Sequence, residues 1–108
     1  MSNAFKNKTT FDENITGWDV SNVEWMGSMF DGATAFNQPI GDWNVSAVIH
    51  MNKMFSWTPF NQPIGDWNVS TVTNMQSMFW GAGSFNQPIS SWNTSNVTGM
   101  GLMFCKTS

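Results

Sequence analysis

Laid against itself at an offset of 24 or 25 residues, the chain falls into register along nearly its whole length, and no other property constrains its fold so tightly. Phe-Asn-Gln-Pro-Ile occurs at 36–40, 60–64 and 85–89, behind a diverged copy at 11–15. Trp18, Trp43, Trp67 and Trp92 follow at steps of 25, 24 and 25 residues, and the Met-Phe pairs 29/30, 54/55, 78/79 and 103/104 keep the same steps. A unit this short cannot bury a core alone, so neighbours must stack and share one. The 108 residues are therefore expected to form a single solenoid of four repeats, approximately 1–25, 26–50, 51–74 and 75–99, with a partial repeat over 100–108. The short step falls where Ser56-Trp57-Thr58-Pro59 replaces the five residues 31–35. A deletion at that place marks a surface loop. Neither end carries a polar cap, so the chain reads as a segment of a longer array or as a minimal array whose ends are covered in another way.

Inside each unit the pattern Ser-x-Val-x-x-Met-x-x-Met-Phe, as at Ser70, Val72, Met75, Met78 and Phe79, spaces its apolar residues like one face of a short helix. Ser21, Ser46, Ser70 and Ser95 stand where an N-cap belongs, and Gly32 and Gly81 where such a helix would stop. Spacers such as Thr73 and Asn74 are mediocre helix formers, so packing would have to hold it. The Phe-Asn-Gln-Pro-Ile segment is too short for a helix and contains proline, which predicts an extended piece followed by a turn at Gly41-Asp42 or Gly65-Asp66. Stacked pieces would pair as narrow parallel strands, since Pro39, Pro63 and Pro88 each remove a ladder donor. The expected fold class is a repeat solenoid, an α/β coil stack with short parallel strands and one short helix per repeat. Its columns would be Trp18, Trp43, Trp67 and Trp92; Phe36, Phe60 and Phe85; and Met29, Met54, Met78 and Met103.

On these residues the chain resembles the bacterial surface-protein repeat family of roughly 25-residue, BspA-like, leucine-rich-repeat-related units, with a pattern FNQPIGxWNVSxVTxMxxMF that recurs four times here. The resemblance implies a right-handed, leucine-rich-repeat-like coil stack, display at a cell surface as in surface proteins and lipoproteins, and adhesion for some relatives. It carries no catalytic residues. The first copy departs from the pattern at Asp12, Glu13 and Asn14.

Composition excludes several function classes. Four Lys/Arg against seven Asp/Glu, without a basic cluster, leave nothing to hold nucleic acid or an anionic membrane. No apolar run is long enough to insert into a membrane, and no leader opens the chain. With one Cys an internal disulfide cannot form, and with one His and one Cys neither a metal site of the zinc kind nor any cofactor is implied.

No enzyme is expected. His50 takes the place of Trp25, Asn74 and Gly99 in the other copies, and Cys105 that of Asp31, Ser56 and Trp80, so both sit at variable positions. Asp42 and Asp66 would stack at about the carboxylate separation of retaining glycosidases, but a repeated turn residue explains both. The amides of Asn37, Asn61 and Asn86 beside Gln38, Gln62 and Gln87 are expected to bond to one another or to backbone.

Three tryptophans lie outside the repeat register: Trp25, Trp57 and Trp80. Gly32 and Gly81 stand opposite Trp57, so the framework does not require an indole there. Exposed tryptophan is a frequent contact residue, and these are the candidate partner-binding positions. The expected function is a surface-display, adhesion or protein-interaction module for a protein or glycan of another cell or matrix, presented by a rigid rod. The alternative is a structural segment that self-associates end to end through its uncapped faces.

Overall fold

A computed structural model of the chain describes residues 1–101; Met103, Phe104 and Cys105 lie outside the described residues. The backbone is built almost wholly from successive tight turns. Met29 N–H donates to Met26 O, Asp31 to Ser28, Ala33 to Phe30 and Phe36 to Ala33, each at 2.9–3.2 Å; the first three have equivalents in the next two repeats, and the fourth in the repeat of Phe85. Such i to i−3 bonds use only part of the donors. The alternate N–H groups of Met26, Ser28, Phe30 and Gly32 reach His50, Asn52, Met54 and Ser56 carbonyls of the following repeat at 2.8–3.0 Å. Met51, Lys53, Phe55 and Trp57 do the same toward Asn74, Gln76, Met78 and Trp80. Each repeat therefore lies directly on the next.

The expected α/β architecture is wrong, and with it the leucine-rich-repeat-like coil. No helix is present among the described residues. The segment read as helical contains Ser28, Lys53 and Ser77 at φ of 56, 58 and 56°, and Gly32, Trp57 and Gly81 at 75, 57 and 71°. A left-handed residue at every fourth position breaks any α-helix, and it turns the N–H groups outward to the neighbouring repeat. The serines are not N-caps. Asn44 Oδ1 accepts both the N–H and the hydroxyl of Ser46, at 3.0 and 2.6 Å, and Asn68 accepts both from Ser70 in the same way. Ser95 N–H donates to Asn93 Oδ1 at 3.1 Å. These are Asx turns. Asp19 stands in for Asn before Ser21, whose hydroxyl and then backbone N–H hold the carboxyl below its ordinary pKa. Because the folded value is depressed, that contribution is present at neutral pH and is lost as pH falls through the lowered pKa.

The expected strands are absent too. Only isolated parallel bridges occur among the described residues, Trp25 to His50 to Asn74 to Gly99, and they lie outside the Phe-Asn-Gln-Pro-Ile segments. Those segments join by side chains instead. Asn37 Oδ1 accepts Asn61 N–H at 2.8 Å, Asn61 Oδ1 accepts Asn86 N–H at 2.9 Å, and Gln62 and Gln87 reach the preceding Asn carbonyl at 3.2 and 3.3 Å. An amide ladder thus replaces the backbone ladder that proline forbids. In the diverged first copy Asp12 accepts from Asn37 N–H and Gln38, so its carboxylate does the work of the missing asparagine.

The core is aromatic. Phe30 and Phe36, Phe55 and Phe60, and Phe79 and Phe85 stack face to face within a repeat, with centroids at 3.9, 4.2 and 4.1 Å. Between repeats the rings continue as columns: Phe5, Phe30, Phe55 and Phe79 at 5.6–5.8 Å, and Phe11, Phe36, Phe60 and Phe85 at 5.9–6.2 Å. Met29, Met54 and Met78 are fully buried beside them. The indole N–H of Trp43, Trp67 and Trp92 donates to Ile15, Ile40 and Ile64 O of the preceding repeat at 3.0–3.1 Å. Trp18 departs from its column and is 44% exposed. The body measures 34 × 30 × 22 Å, a block and not the rod expected.

Phe55 contacts Phe30, Phe60, Trp67 and Phe79 at once. Phe55→Ala should cost about 3–5 kcal/mol in urea unfolding, as large core truncations do. Phe5→Ala, at the partly buried end of the same column, should cost clearly less.

Candidate functional site

The structure separates the off-register tryptophans. Trp25 is 55% exposed and stacks on His50 with centroids 4.1 Å apart and planes at 21°. His50 is thus a half-buried partner of an indole, where the sequence suggested an inert position on a helix surface. Trp57 and Trp80 sit elsewhere, in neighbouring repeats joined by Trp57 N–H to Trp80 O at 2.8 Å. They line a hollow of about 340 Å³ together with Asp31, Lys53, Ser56 and Ser77.

Trp57 owes its position to two local features. The first is its backbone. It takes the left-handed conformation at φ 57°, where the equivalent residues are Gly32, Gly81 and Asn7. A bulky side chain there is costly, of order 1–3 kcal/mol, and persists only where the surroundings impose it. The second is the shortened loop. In the other repeats Ala33 and Ala82 carbonyls accept from Phe36 and Phe85 N–H. Thr58 supplies the lost length with its side chain: its hydroxyl donates to Phe55 O at 2.7 Å and accepts from Phe60 N–H at 3.4 Å. The indole then lies over Gly81, where a Cβ would come within 2.5–2.8 Å of ring carbons Cε3, Cδ2 and Cζ3. Trp57 nevertheless remains 51% exposed.

The polar lining escaped the sequence reading. Ser56 and Ser77 are only 3% and 7% exposed; no hydrogen bond joins either hydroxyl to another described residue, and no buried side-chain polar atom among the described residues lacks a partner, so what remains exposed of these serines includes their hydroxyls, on the hollow. Asp31 and Lys53 side chains are likewise without hydrogen bond or ion pair among the described residues. Ser56 is in frame with Asp31 and Trp80, and Ser77 with Lys53, so one hollow gathers residues that the repeat alignment had scattered over three copies. Their only sequence signal was proximity to the deleted residue.

Asp42 and Asp66 line a second groove, of about 420 Å³, with Pro39, Gly41, Pro63, Gly65 and Pro88. Both carboxylates are exposed, in equivalent surroundings. The amide columns join one repeat to the next through Asn37 and Asn61 Oδ1 and through Gln38, Gln62 and Gln87 Nε2. No three His, Cys, Asp or Glu gather into a metal-holding group among the described residues, and no helix there is long and apolar enough to cross a membrane.

The packing of Trp57 on Gly81 can be measured by a double-mutant cycle. Trp57→Gly, which restores the residue of the sister repeats, should leave stability within about 1 kcal/mol of the parent, since relief of the left-handed side chain offsets lost contact. Gly81→Ala should cost about 1–3 kcal/mol in the parent. In the Trp57→Gly background the penalty should shrink to the strain of φ 71° alone, because the clash with the indole is gone.

No curated protein and no solved structure is significantly similar to the chain. Over residues 1–108 it matches the family described as Mycoplasma protein of unknown function, DUF285, and it belongs to that family.

Proposed function

We propose that this chain is a non-catalytic interaction module, displayed at a cell surface, that engages a protein or glycan through the Trp57–Trp80 hollow. One observation carries the reading: the fold holds Trp57 in a conformation that the sister repeats give to Gly or Asn, and leaves half of it in solvent. Strain kept where the framework has no use for it is a mark of a functional position. An exposed indole, with a half-buried one alongside and polar groups around it, is the make-up of an interface centre. Surface display rests on the finer resemblance to bacterial surface-protein repeats. Against a panel of extracellular proteins and glycans, the Trp57→Gly, Trp80→Ala double variant should lose about 2 kcal/mol or more of affinity for whatever the parent binds. Trp25→Ala should lose none, because Trp25 faces away onto His50. A partner indifferent to the double variant would remove the hollow from the reading.

A second reading has its own observation. Phe5 and Phe11 line an open hollow of about 540 Å³ at one end, and the half-exposed Trp18, whose ring lies 5.7 Å from Phe5, finds among the described residues no carbonyl for its Nε1 of the kind that Trp43, Trp67 and Trp92 find. Copies of the chain would associate there to cover the rings. Light scattering should then give a molar mass that rises with concentration for the parent and stays at 12.1 kDa for Trp18→Glu. A constant mass for both ends the idea.

A further inference from the structure

The hollow's lining is specific enough to name a ligand class. Trp57 gives it a flat aromatic wall, packed on one side against Gly81 and otherwise open, with Trp80 alongside. Around that wall stand groups of every hydrogen-bonding kind: Lys53 donates only, Asp31 accepts only, and the Ser56 and Ser77 hydroxyls do both. All are without intramolecular partners among the described residues.

Each simple alternative leaves something unmet. An apolar side chain seated on the indole would cover the Ser56 and Ser77 hydroxyls that line the hollow without giving them a partner, which is costly. A simple anion meets Asp31 and a simple cation meets Lys53, and like charges repel. A ring with one apolar C–H face and a rim of hydroxyls satisfies the whole set: the face lies on the indole, and each hydroxyl gives one bond and takes another. The volume of about 340 Å³ is at the small end of ligand sites, enough for one or two such rings.

We infer that the Trp57–Trp80 hollow is a saccharide-binding site that seats a neutral pyranose ring on the Trp57 indole, with Ser56, Ser77, Asp31 and Lys53 bonding its hydroxyls. The inference rests on the reading of Trp57 and Trp80 as contact residues, and narrows it to one chemistry.

The test is saturation-transfer NMR on the 108-residue chain with the common hexopyranosides and N-acetylhexosamines as methyl glycosides, and capped dipeptides as comparators. At least one glycoside should receive saturation, concentrated on the C–H protons of one ring face. Its affinity should fall about tenfold or more in Trp57→Gly and in Ser77→Ala, as expected for loss of the stacking wall or of one buried hydrogen bond. Trp25→Ala should bind as the parent does, which also shows that a change of tryptophan does not by itself disturb the fold. Glycoside binding that survives Trp57→Gly overturns the site, and absence of binding by every glycoside overturns the saccharide assignment. In the latter case, dipeptides or a protein that bind in a Trp57-dependent way leave the broader interaction reading standing, and loss of that dependence ends both.

Discussion

A backbone that turns every three residues cannot satisfy its own amide groups. Between Met26 and Gly32 the N–H groups of Met29 and Asp31 close turns within the repeat, and those of Met26, Ser28, Phe30 and Gly32 point out of it and need carbonyls of a neighbour. Buried amides without partners are expensive enough that this alone forbids an isolated repeat. The stacked phenylalanines then supply the apolar burial that ordering a chain of turns requires, since each turn fixes backbone entropy without the long cooperative ladder of a helix or sheet. Hydrogen bonds set the register between repeats. The ring pairs at 3.9–4.2 Å within each repeat hold its two halves together. Neither would suffice, because the outward N–H groups have no direction without a packed core and the rings have no register without the bonds.

Much of this was legible from periodicity. The aligned Phe and Met positions are the core, and the amide columns are structural, as their repetition suggested. The helix was not legible because its signature was ambiguous: apolar residues at i, i+3, i+6 and i+7 suit a helix face, but a chain of three-residue turns points the same residues inward. A signal against the helix did exist. Asn3 and Asn7, Ser28 and Gly32, Lys53 and Trp57, and Ser77 and Gly81 are the left-handed pairs, and glycine or asparagine fills four of those eight places. Gly32 and Gly81 were read as helix stops, one left-handed position each, whereas the structure has two per repeat. Similarly, Asn-x-Ser reads as a capping serine until the asparagine is seen to accept from it.

The hollow divides the same way. Trp57 and Trp80 could be picked out because a framework built on identity makes every departure visible. Ser56 and Ser77 could not, since serine is common in this chain and nothing local marks a hydroxyl as facing a hollow. Only stacking brings Asp31, Lys53 and Ser77 from three repeats to one place, and stacking at single-residue register is a tertiary fact.

This suggests where specificity can reside in such a fold. A perfect repeat presents the same side chains again at every layer, so its surface is a lattice of equivalent positions, like the Pro-Gly-Asp groove in which Asp42 and Asp66 are interchangeable. Equivalent positions cannot distinguish one ligand pose from the next layer's. A unique site therefore requires that the period be broken, and the chain breaks it at one loop, by deleting a residue and letting Thr58 bridge the gap. Thr58 makes this bridge from a buried position, only 4% exposed, and the core columns on either side keep their spacing. The indole beside it lies over Gly81 as the Asn7 side chain lies over Gly32, and among the described repeats this is the one such place that carries a large aromatic ring.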